Sequence, residues 1–213
     1  MTTRPMACAI FVCGIGAWLS ISVGCATDKT ERLRQDLSPL VEDNTAQKRE
    51  AVVLVDRAYN AYYDEERKEE ARVRDAAELL QRAIQLDPGF ATAHLNLGVL
   101  HLEQEDLPTA VIRLRTAQRL MPGDPRPAYH LGVAYYRMRH AEPAIDMFLE
   151  SIQVDPSNVL AVRGLALACR SIHYADDTTL EILERSQFLE PDEDWRRLYD
   201  REVTRQQRQL ELR

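Results

Sequence analysis

The chain has 213 residues, enough for one domain plus a small extra segment, and its 45% hydrophobic and 29% charged residues are those of an ordinary globular chain. With 34 acidic against 27 basic residues the net charge is −7, which gives no electrostatic case for binding a phosphate backbone and argues against nucleic acid as a partner. Only 8 glycines and no β-branched runs point to helix, and 24 of the 27 basic residues are arginine, a bias that fits a GC-rich genome or a use for planar guanidinium groups.

Residues 1–24 hold one charge, Arg4, followed by an apolar run from Met6 to Val23. This is the layout of an export signal. The run ends Ser22-Val23-Gly24-Cys25-Ala26, which resembles the lipobox of bacterial lipoproteins, with Ser22 where leucine is commonest. The resemblance implies cleavage before Cys25 and acylation of that cysteine, palmitate included; an uncleaved anchor and an ordinary cleaved signal are the alternatives. All three place the rest of the chain outside the cytoplasm. A lipid anchor would leave it on the periplasmic side of a membrane, and Ala26, where an inner-membrane retention signal would have aspartate, favours the outer membrane. Cleavage would also remove Cys8 and Cys13 and leave Cys169 as the one free thiol, with a mature charge of −8. Residues 25–44 are polar and read as a tether.

From residue 45 a 34-residue period sets in. Pro88, Pro122 and Pro156 share it, as do Ala76, Ala110 and Ala144; Leu80, Leu114 and Phe148; and the pairs Leu97-Gly98 and Leu131-Gly132. Pro191 follows Pro156 by 35. Leu-Gly with an aromatic or histidine three residues on marks one face of a first helix, where glycine lets a second helix approach closely. Alanine and a large apolar residue at i+4 mark the second helix, and the proline ends it. These offsets resemble the tetratricopeptide repeat. The resemblance implies an all-α solenoid of about four helical hairpins over residues 45–191, in which 91–124 and 125–158 are close matches. The first hairpin has a non-standard first helix near residues 52–64, with the charged run 65–70 in its turn or extending a helix. The last, 159–191, carries Thr178 and Thr179 near the alanine slot and one inserted residue. Residues 192–213, with Trp195, Leu198, Tyr199 and Val203 on one face and Arg and Gln on the other, read as a capping helix.

No catalytic or metal motif is present: no phosphate loop, no HExxH, no CxxC. His101 and Glu105 are only two potential ligands, too few for a metal site, and Cys169 reads as a buried thiol. No enzyme activity and no cofactor are expected. The family resemblance implies a concave groove lined by the first helices. Its positions here are Thr92, Leu95, Val99 and Leu102; then Arg126, Tyr129, Val133 and Tyr136; then Leu160, Arg163, Leu167 and Arg170. Three arginines, two tyrosines and no acid imply an apolar and acidic protein segment as partner. Asn96, Arg126 and His130 also fall where cytosolic chaperone adaptors of this family clamp a C-terminal carboxylate, although the first-unit Lys and Asn of that clamp have no counterpart. The function expected is a membrane-tethered scaffold or assembly adaptor of the bacterial cell envelope; a homo-oligomerising structural subunit is the alternative.

Overall fold

The computed structural model describes residues 44–212; the expected signal, the lipidation site Cys25 and nearly all of the tether lie outside them. Residues 47–212 lie in one compact unit. Nine helices and no strand occur among the described residues: α1 (44–62), α2 (Glu69–Leu86), α3 (Ala91–Glu103), α4 (Leu107–Leu120), α5 (Pro125–Arg137), α6 (Ala141–Val154), α7 (Val159–Ser171), α8 (Asp177–Gln187) and α9 (Glu193–Glu211). Consecutive pairs make four antiparallel hairpins, and α9 closes the stack. The charged run is divided, with 65–68 in the turn and Glu69 and Glu70 opening α2.

The hairpins are built the same way because the same residues recur. Leu114 meets Gly98, where an added Cβ would lie 2.8 Å from its Cγ. Phe148 is held from two sides: a Cβ on Gly132 would come within 2.6 Å of its ring and one on Gly164 within 2.4 Å. Such distances leave no room for a side chain, so these glycines set the spacing of α5, α6 and α7. Before Pro88, Pro156 and Pro191 an acid ties the turn, whereas Met121 stands in that place before Pro122. Asp87 accepts a hydrogen bond from the Gly89 N–H at 3.0 Å, Asp155 from Ser157 at 3.0 Å, and Glu190 from Asp192 at 3.1 Å.

Within hairpins two to four, the turn is a left-handed residue at one register: Glu105, Arg139 and His173, with φ of 60°, 64° and 54°. Each closes the same pair of bonds. Asp106 N–H donates to His101 C=O, His140 to Tyr135 and Tyr174 to Cys169, all at 2.9 Å, while the left-handed residue itself donates three residues back. This is the Schellman ending, which satisfies the last carbonyls of the first helix. The inserted residue of hairpin four falls after His173 and before α8. Thr179 and Leu183, both fully buried, therefore sit 35 residues after Ala144 and Phe148, and packing resumes in register. Asp176 caps α8 by accepting from the Thr179 N–H at 2.7 Å.

The core runs along the stack. Its last part joins Phe148, Leu165, Cys169 and Leu183 to Tyr199 and Val203 of α9, with Trp195 and Leu198 packed at its edge. The α9 contact is also polar. Thr179 Oγ1 donates to Gln206 Oε1 at 3.0 Å, both side chains fully buried, and Arg205 reaches the Tyr174 carbonyl while pairing with buried Glu202.

Candidate functional site

The first helices of the hairpins line one face of the stack, and between α1, α3 and α5 that face deepens into a cavity of about 260 Å³. Leu95 and Val99 of α3 form part of its floor, Asn96, Arg126 and His130 line it toward α5, and Tyr59 and Tyr62 of α1 line it with Tyr63 just after that helix. The three residues matched to a carboxylate clamp thus share one cavity. Burial and the nearby Arg126 push His130 down to about 4, so its ring is neutral at ordinary pH and offers hydrogen bonds rather than charge.

The expected groove positions fare differently, and ten of the twelve bear on the site. Leu95 and Leu102 are core residues, 3% and 4% exposed. Their helix is close enough to its neighbours that positions facing the groove in a wider array are covered here. Val99, Tyr129, Val133, Tyr136 and Leu167 are half-buried, and Tyr129 also packs its ring 6.3 Å from Phe148. Among the arginines, Arg126 is exposed but held: its Nε and Nη2 donate to the Asp124 carboxylate at 3.0 and 2.7 Å. That geometry leaves Nη1 for another acceptor. Arg163 is committed to the cap. Its Nε and Nη2 donate to Glu190 at 3.1 and 2.5 Å, and its guanidinium stacks 5.0 Å from the Trp195 ring centroid. Tyr199 also donates to Glu190, at 3.1 Å, and the hydrogen bonds from Arg163, outweighing burial, hold the Glu190 carboxyl below the usual carboxylate range. Arg170 is exposed on α7.

The tyrosines of α1 and Glu103 were not legible as site residues. Three tyrosines within 59–63 are a visible cluster, but the first hairpin lacks the Leu-Gly pair that would have placed them in register. Elsewhere the chemistry is sparse. His101 lies 3.2 Å from the Asp106 carboxylate, and no group of three or more His, Cys, Asp or Glu that could hold a metal occurs among the described residues. Cys169 is fully buried, and burial pushes its thiol up to about 12. No described helix is long and apolar enough to cross a membrane.

Comparison with known proteins agrees with this architecture. Residues 66–125 match the family model of the tetratricopeptide repeat. The Caenorhabditis elegans cell division cycle protein 27 homolog is 34% identical over 83 residues, 39% of this chain and 10% of that protein. The chain thus spans about a tenth of that relative's length. Among solved structures, the first TPR of Spaghetti (RPAP3) bound to HSP90 peptide SRMEEVD superposes with a TM-score of 0.54 at 16% identity, covering 60% of this chain and 96% of that one. MamA does so with 0.53 at 18% identity, over 85% and 93%. The fold is a tetratricopeptide-repeat solenoid, an architecture that typically serves as a protein-interaction scaffold.

Proposed function

We propose that this tetratricopeptide array is an adaptor that holds an extended or helical segment of a partner protein in its concave groove, tethered at a bacterial membrane through Cys25. The observation that carries the binding half is the cavity of about 260 Å³ between α1, α3 and α5, concave, apolar at its floor and polar at one wall. The neighbour carrying an HSP90 peptide supports a peptide as ligand, at the level of the fold. An apolar side chain would fill the floor beside Val99, and an acidic one would meet Nη1 of Arg126; Arg170 offers a second guanidinium along the same helix series, with no partner among the described residues. Arg163 contributes to the cap instead.

The tether rests on the apolar run and on Ser22 to Ala26. Acyl chains on Cys25 would contribute about 0.8 kcal/mol for each buried CH₂, so two or more would anchor the protein firmly. No catalytic role is proposed. A crosslinked pull-down from membranes, run with wild type and with Asn96→Arg, tests the groove: the substitution fills the cavity with a long cation while leaving the core alone. Loss of the same proteins from the Asn96→Arg sample is expected. Their undiminished recovery, with the variant folded by circular dichroism, would place binding elsewhere. For the tether, Cys25→Ser should release the protein from membranes and abolish acylation; equal membrane partitioning would sink the lipoprotein reading.

A further inference from the structure

The α1 wall of the cavity differs in chemistry from the rest of the groove. Tyr59 and Tyr63 are 61% and 60% exposed, with ring centroids 4.6 Å apart, and Tyr62 meets Tyr63 edge-on at 5.0 Å. Large exposed aromatic surface of this kind is unusual on a surface with no partner. Across from it, Tyr62 donates to Glu103 Oε2 at 2.6 Å, which holds that carboxylate in place and leaves Oε1 open. The nearby face of α2 adds Glu69, Glu70 and Glu78 against Arg74, which is itself paired with Asp75. Arg126, which lines the cavity, is paired with Asp124, and Arg72 donates through Nη1 to the Tyr62 carbonyl at 3.3 Å. A wholly apolar occupant would strip water from Glu103 without replacing its hydrogen bonds, which is unfavourable. A cation replaces them.

We propose that this end of the groove receives a basic side chain of the partner segment, arginine best, stacked on the Tyr59–Tyr63 rings and donating to Glu103 Oε1. A planar guanidinium can stack and donate at once, and its attraction to an aromatic face adds to the carboxylate contact. The inference rests on the groove being the binding surface, and it gives the segment polarity: a basic residue at the α1 wall and an acidic or apolar one toward Arg126.

A randomised dodecapeptide phage library, panned on the full chain in non-ionic detergent and on its Glu103→Gln, Tyr63→Ser and Asn96→Arg variants, tests both levels. All three substitutions are at partly or well exposed side chains, and thermal melts check that each variant folds. Wild type should enrich peptides with Arg or Lys at one fixed position. Replacing that residue by norleucine in a synthetic peptide should weaken binding about tenfold, as should Glu103→Gln, and the two losses should not add. Enriched peptides that lack a basic residue, yet are lost with Asn96→Arg, would overturn the basic pocket and keep the groove. Enrichment indifferent to all three variants, or none at all, would overturn both.

Discussion

Single residues set the spacing of this stack, and two glycines on either side of one ring show how. Phe148 fills the space that side chains at 132 and 164 would take, so Gly132→Leu must push α5 off α6. Overpacking of this kind costs about 1–3 kcal/mol, to be read as a lower midpoint in urea; an unchanged midpoint would mean that the crossing is looser than 2.6 Å implies. The left-handed turn residues give the opposite sign. Arg139 has φ of 64° at an exposed position, so Arg139→Gly should relieve strain and stabilise by about 1 kcal/mol. A destabilised variant would show that its side chain contributes more than its backbone costs. These turns were not legible in the sequence. Glu, Arg and His occupy a register where glycine would have announced the Schellman ending, and only the backbone reveals that three unlike residues do one job.

At the scale of elements, α9 is held by a core contact and by two buried carboxylates, each neutralised by one arginine: Glu190 with Arg163 and Glu202 with Arg205. Glu190→Gln keeps the shape but removes the charge, and hydrogen bonds to charged groups are worth roughly 1.5–3 kcal/mol, so a loss in that range is expected. Its pH dependence has a definite sign. The folded carboxyl titrates below its ordinary 4.5, so the stabilisation is whole above that value and disappears as pH falls through the lower, folded one. Urea midpoints of wild type and Glu190→Gln should therefore converge as pH drops below about 4.5; parallel curves would show that the ion pair is not the cause. Deleting residues 192–213 should expose Cys169, Leu183 and their neighbours and promote aggregation, measurable by light scattering. A monodisperse, equally stable product would refute the capping role.

For the whole molecule, the decisive contrast is between two arginines that occupy neighbouring groove registers. Arg126 is exposed and, among the described residues, braced by Asp124, so Arg126→Glu should change stability by about 0.5 kcal/mol or less while weakening an acidic partner and flattening the salt dependence of its binding. Arg163→Glu should instead destabilise the fold, because it leaves buried Glu190 facing a second carboxylate. Breaking such a pair costs about 3–5 kcal/mol in comparable cases. Thermal melts of the two variants side by side would check this, and equal melting temperatures would show that the cap does not depend on the pair.

The sequence alone determined the repeat. A period of 34 in proline, alanine, Leu-Gly and large apolar positions leaves one way to bury those faces, namely hairpins stacked in register, and the amphipathic tail with Tyr199 and Val203 on its apolar side follows from the need to cover the last of them. What only the tertiary structure decided is which groove positions are free to act. Arg163 and Glu190 are 27 residues apart, and no local pattern shows that the turn before α9 folds back to claim that guanidinium. Leu95 and Leu102 are buried because neighbouring hairpins close over them, while Tyr59 and Tyr63 stay open where α1 ends. Periodicity is carried by each hairpin in itself; exposure and charge pairing arise between hairpins, where residues far apart in the chain compete for the same space.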